Sequence, residues 1–156
     1  MKTRNKIVPA VYLFMERDGK ILVCRRCNTG YADGYYQVPA GHIEAEELPT
    51  QAMIREAKEE VGIIVASSDL KFVHVSYRPK HDETGDRVDF FFQTSHWEGK
   101  VVNTEPHKCD DLRWVPPTEL PSNTTPHVRN AIECWQKGIF FQELDRDFLK
   151  MNGYLN

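Results

Sequence analysis

The segment from Gly41 to Ile63, GHIEAEELPTQAMIREAKEEVGI, constrains this chain more than any other stretch. It sets Glu47, Glu56, Glu59 and Glu60 around Arg55, with Gly41 and Gly62 as its bounds. On a helix each residue advances about 100°, so Glu56, Glu59 and Glu60 share roughly one third of the circumference. Met53, Ile54, Ala57 and Val61 take the neighbouring arc as a core-facing stripe. Apolar packing therefore anchors the helix while like charges project beside the stripe, and their repulsion is slightly unfavourable in isolation. A divalent cation removes that penalty. Hard ions take oxygen ligands, and Mg²⁺ usually brings substrate phosphates with it. Arg55, four residues before Glu59, can hold that carboxylate in one rotamer, as groups behind a metal ligand do.

The remaining elements follow from periodicity and turn chemistry. Ile7 to Met15 and Lys20 to Cys27 read as strands joined at Asp18-Gly19, a strong hairpin dipeptide. A polar loop, NTGYADG, runs from Asn28 to Gly34 and precedes a short strand at Tyr36 to Pro39. The acidic helix starts near Pro49, suited to a first turn, although Leu48 is a poor cap. Leu70 to Arg78 and Arg87 to Trp97 read as strands around a turn at His81 to Asp86, and Leu112 to Val115 as another. Thr125-Pro126 opens a second helix with the stripe Val128, Ala131, Ile132 and Trp135, ending at Gly138. Residues 139–156 have mixed character and receive no assignment. Strands, helix, strands, helix is the order of an α/β fold with a mixed sheet between helices.

Composition narrows the function classes. A chain of 156 residues reads as one domain spanning 1–156, able to bury roughly two thirds of its unfolded surface. The net charge of −3 comes without a basic stripe, which argues against a nucleic-acid polymer as partner. No apolar run is long enough for a membrane span, and MKTRNKIVPAVYLF lacks a small-residue cleavage site, so a cytoplasmic location is expected. Cys24-Arg25-Arg26-Cys27 has zinc-knuckle spacing, and His107-x-Cys109 could complete a ligand set. Cys24, however, ends an apolar run as a buried strand thiol does, and no second C-x₂-C pair follows, so reduced structural thiols are expected.

The acidic segment resembles the signature of the Nudix hydrolases: Gly41, Glu47, then Arg55-Glu56-Ala57-Lys58-Glu59-Glu60-Val61-Gly62-Ile63. The resemblance covers Ile7 to Gly138, with the box at 41–63 as its specific part, and implies the family's α/β/α sandwich. One position departs. Many members have Gly before the first glutamate, where this chain has Glu46, which must then tolerate positive φ or reshape the loop.

By resemblance the chain is a Mg²⁺-dependent enzyme, with Mn²⁺ as an alternative ion, acting on a small nucleotide as monomer or homodimer. Glu56, Glu59 and Glu60 match the family's metal ligands, Gly41 adds a backbone carbonyl, and Glu47 orients Arg55. A general base comes from a box glutamate or a later loop, where Glu105 is the candidate and Asp110 and Asp111 its rivals. Arg26 matches a phosphate-contacting arginine after the second strand, a role that suits a guanidinium fork; Arg25 should face the other way. Asn123 lies in a segment resembling a base-reading loop, although aligning its prolines puts Thr124 at the reading position. Tyr35, Tyr36, Phe72 and Phe90 are available for stacking, but aromatics at strand spacing usually serve the core.

A nucleoside triphosphate, split to monophosphate and pyrophosphate, is the expected substrate. Pro79 stands where ADP-ribose-cleaving members carry a proline, which makes ADP-ribose or another nucleoside diphosphate derivative the alternative. A nucleotide-binding module without catalysis would be expected to lose a ligand glutamate. This chain keeps them all.

Overall fold

The computed structural model describes residues 4–80 and 82–155. Met1 to Thr3 and His81, where the second expected hairpin turn begins, lie outside the described residues, as does Asn156. Strand β1 (Ile7–Arg17) forms a hairpin with β2 (Lys20–Arg26). Asp18 and Gly19 at its tip both have positive φ, 52° and 70°, as the primed turn that matches strand twist demands. Two short strands follow, β3 (Tyr36–Gln37) and β4 (Ala40–His42), then helix α1 (Pro49–Val61). Next come β5 (Lys71–Arg78), β6 (Asp86–Thr94), β7 (Cys109–Val115) and helix α2 (Pro126–Gln136).

The sheet runs β3-β2-β1-β6-β5 and is mixed: β1 lies parallel to β6, while β2 and β4 pair antiparallel to β1. Because β1 is covered on both faces, it reads as a nearly unbroken apolar run and alternates only weakly in sequence. Its pleat still sorts the side chains. Ala10, Tyr12 and Phe14 pack with Val128, Ala131 and Ile132 of α2. Val11, Leu13 and Met15 pack with Met53, Ala57 and Val61 of α1. These are the two cores of an α/β/α sandwich, as expected. Ala52 replaces Ile54 on the fully buried side of α1.

The tail, unassigned from sequence, is ordered by one distant pairing and one local cap. Strand β8 (Phe141–Glu143) adds parallel to β5, and helix α3 (Arg146–Met151) is capped by Asp145, which accepts from Phe148 N at 2.9 Å. Strand β7 begins at Cys109, three residues before the expected Leu112. Its acids looked like loop residues but are paired: Asp110 with Arg25, Asp111 with Tyr36 and Arg113. Among the described residues no helix is long and apolar enough to cross a membrane.

Candidate active site

Helix α1 presents its acids toward the edge of β4 because its apolar side is fixed on the sheet. Leu48 gives no side-chain cap; instead Gln51 Oε1 accepts from Leu48 N at 2.9 Å. At the other end Gly62 takes φ 71° and closes the helix on Lys58 O. A Cβ at Gly62 would meet Val102 Cγ2 at 2.9 Å, so glycine also admits the loop that packs here. That loop satisfies the helix's last carbonyls. Val102 N bonds Val61 O at 3.1 Å, Thr104 N bonds Glu60 O at 3.2 Å, and the Thr104 hydroxyl donates to Glu59 O. Glu105 is carried to the acidic helix in this way.

Arg55 organises the acids. Its Nε and a terminal nitrogen reach the two oxygens of Glu47 at 2.8 and 3.0 Å, and its other terminal nitrogen reaches Glu56 at 2.6 Å and Glu59 at 3.3 Å. A further bond to His42 O, 3.0 Å, ties the guanidinium to β4. Arg55 and the backbone N–H of Glu44 hold Glu47 down at about 2. The loop before it is bent as Glu46 requires, with φ 64° at that residue.

Glu60 has a different environment. Loss of water pushes its carboxyl up to about 8, against the Ala40 N–H that donates to it at 3.0 Å, and Glu56 and Glu105 add repulsion. Desolvation also raises Glu56. Glu56, Glu59, Glu60 and Glu105 line one cavity of about 570 Å³, together with Gly41, Arg26 and Lys108. Lys108 Nζ pairs with Glu105 at 2.7 Å. Among the described residues no three acid, imidazole or thiol groups are drawn into a ready-made cage. Repulsion keeps uncompensated carboxylates apart, and Arg55 pulls Glu56 and Glu59 its own way. The donor set nonetheless fits a hard divalent cation: it is all oxygen, partly desolvated and short of positive charge.

Arg26 lines this cavity and a second one, while Arg25 turns away to Asp110 at 2.7 Å. Arg26 itself is steadied by Tyr31 O at 2.7 Å and Thr29 Oγ1 at 2.9 Å. Asn123 is not brought to either cavity. Its side-chain amide donates to Gly34 O at 2.6 Å and its backbone carbonyl accepts from Tyr36 N, so it ties two loops together. Asp110 and Asp111 also lie outside both linings, as do Tyr35, Tyr36, Phe72 and Phe90.

The second cavity, about 340 Å³, shares Arg26, Gln37, Ala40, Gly41 and His42 with the first. Its other walls include Tyr12, Tyr31, Arg78, Asp82, Arg87, Asp89 and His127, none of which the sequence reading singled out. The available signal was charge at strand positions, with Asp89 inside β6 and Arg78 at the end of β5. Cys24 and Cys109, the latter's thiol donating to Asp111 O at 3.4 Å, also reach the acidic cavity.

The profile of the family described as "NUDIX domain" matches residues 5–135. The chain belongs to the Nudix family. It is 32% identical over 127 residues to the phosphatase NudJ of Escherichia coli K12, covering 78% of each protein. An ADP-ribose pyrophosphatase of Methanocaldococcus jannaschii is 34% identical over 93 residues, which span 58% of this chain and 53% of that relative. The fold matches a MutT Nudix hydrolase from Burkholderia pseudomallei, with TM-score 0.74 and 23% identity over 82% of this chain and 97% of that one. The E. coli ORF135 protein matches with TM-score 0.72 and 24% identity over 85% and 91%. As a Nudix hydrolase, the protein is an enzyme of phosphorus-containing acid anhydrides, and such hydrolases generally use divalent metal ions.

Proposed function

We propose that this enzyme hydrolyses a nucleoside triphosphate to the monophosphate and pyrophosphate in a Mg²⁺-dependent reaction. The observation that carries the reading is the gathering of Glu56, Glu59, Glu60 and Glu105 on one cavity that also holds Arg26 and Lys108. Carboxylates alone repel a polyphosphate; beside two cations and a divalent ion they become its binding site.

The Glu56, Glu59 and Glu60 carboxylates and the Gly41 carbonyl would hold the ion. When bound, it supplies neutralisation of phosphate charge and a more acidic water. Arg26 receives phosphate oxygens with a planar fork, and Lys108 does so as a point charge. Glu105 takes one proton from the attacking water, whose oxygen joins phosphorus as the anhydride P–O bond breaks. The bonding pair leaves with pyrophosphate, and water is the only other reactant. Arg55 keeps Glu56 oriented and is itself fixed by Glu47.

A second reading, hydrolysis of ADP-ribose or another nucleoside diphosphate derivative, is favoured by the name of the archaeal relative and by Pro79. A panel with Mg²⁺ separates the two: triphosphates, ADP-ribose, dinucleoside polyphosphates and nucleotide sugars, followed by phosphate and pyrophosphate release. ADP-ribose turnover more than about tenfold better in kcat/KM than every triphosphate would replace the first reading with the second. We take the enzyme as one domain over 1–156, at work in the cytoplasm on free nucleotides.

A further inference from the structure

Arg78 and Arg87 stand directly opposite each other on β5 and β6. Cross-strand partners project from the same face of a sheet, and like charges in that position repel. Each has an acid to offset part of the cost. Arg78 is 3% exposed and pairs with fully buried Asp89 at 2.7 Å; Arg87 pairs with Asp82 at 2.9 Å. Neither acid completes its arginine. Among the described residues, one terminal nitrogen of Arg78 and Nε of Arg87 are buried without a hydrogen-bond partner. Two orphaned guanidinium donors on one cavity wall are unfavourable for the fold by itself.

We propose that Arg78 and Arg87 form a second anion subsite, which takes the terminal phosphate of a nucleoside triphosphate. The inference rests on the triphosphate reading above and extends it to what the neighbouring cavity recognises. Three guanidinium groups, of Arg26, Arg78 and Arg87, line that cavity against two carboxylates, of Asp82 and Asp89. Both carboxylates are already engaged, so the groups left unspent are cationic donors. A nucleobase presents donors as well as acceptors, and a ribose presents hydroxyls. A phosphate presents acceptors alone and matches a guanidinium fork. Shared walls at Arg26, Gly41 and His42 set the two cavities side by side, within reach of one chain of phosphates held at the glutamates.

The test is calorimetric binding, in Mg²⁺, of nucleotides whose α,β bridge is methylene and resists cleavage. The native enzyme should bind the triphosphate analogue about tenfold or more tightly than the diphosphate analogue. In Arg87→Gln that gap should close to within about twofold while diphosphate affinity holds. Arg78 is left intact because breaking its buried pair endangers the fold. A gap unchanged in Arg87→Gln overturns the subsite. Equal weakening of mono- and triphosphate also overturns it, since the cavity would then hold the nucleoside. If the variant melts below assay temperature, inorganic tripolyphosphate tested on the native enzyme decides: it should displace the analogue about tenfold better than pyrophosphate, and equal potency overturns the proposal. Binding and displacement are read apart from hydrolysis at the α,β bridge, so failure of the triphosphate reading in the hydrolysis panel and loss of an Arg87-dependent gap are separate results.

Discussion

Gly41 lies against the Glu56 carboxyl so closely that a Cβ built on it would stand 1.9 Å from Oε1. The glycine is needed for room, and the room is needed by a carboxylate proposed to hold the ion. Gly41→Ala should therefore displace Glu56 without opening the core. We expect kcat to fall on the order of 10–10²-fold with a melting temperature within about 2 °C of native. Steady-state kinetics beside a thermal melt checks this, and unchanged kcat would remove Glu56 from the site.

Glu59→Gln and Glu60→Gln should each cost several kcal/mol of transition-state stabilisation, on the order of 10³ in rate. Neither should unfold the protein, since Glu59 is exposed and burial already disfavours the charged form of Glu60. Mg²⁺ should raise the melting temperature of the native enzyme and fail to do so in Glu60→Gln. Most of the activity surviving in either variant would contradict the assignment.

For Glu105→Gln the expected signature is a fall in kcat with KM nearly constant, because the lost interaction belongs to the transition state. The acid limb of the pH–rate profile should flatten as well. A tenfold rise in KM at native kcat would instead give Glu105 a substrate-binding role.

The Glu47–Arg55 pair predicts a pH-dependent stability. Arg55 holds Glu47 down at about 2, below its unfolded value near 4.5. A depressed carboxylate stabilises the fold above its unfolded value and loses that contribution as pH falls toward its folded value. Glu47→Gln should thus melt about 2–4 °C below native at pH 7, for a pair worth about 1 kcal/mol, and the difference should vanish between pH 4.5 and 2. A difference that persists at pH 2 would mean that Glu47 acts through packing and not through its charge.

Local patterns were legible in the sequence, and distant juxtapositions were not. Pro49, the α1 stripe and the Asp18-Gly19 turn encode their conformations in neighbouring residues, so helix and hairpin could be read directly. Glu105 became a candidate because the family resemblance points to a glutamate from a later loop, and the exposed carbonyls at the end of α1 explain how that loop reaches the glutamates. The second cavity draws on Tyr12, Arg78, Arg87 and His127, which come from three strands and a helix and share no spacing. The tail failed for a related reason: β8 is short and half exposed, and its strand character comes from its partner β5. Asn123 misled through its proline-rich surroundings, which serve the turn it occupies.

Tyr154, beyond the tail helix, has its hydroxyl 2.7 Å from His127 Nδ1, and the same histidine meets the Tyr12 hydroxyl at 3.2 Å through its other nitrogen. Arg78 lies over the Tyr154 ring, 5.8 Å from its centre. His127, Tyr12 and Arg78 all face the second cavity, yet Tyr154 falls after residue 135, where the family match stops. The wall of that cavity is thus braced from a part of the chain that the family match does not reach. A substitution at Tyr154 would therefore reach Tyr12 and Arg78 through His127 and its own ring while every box glutamate stays as it is.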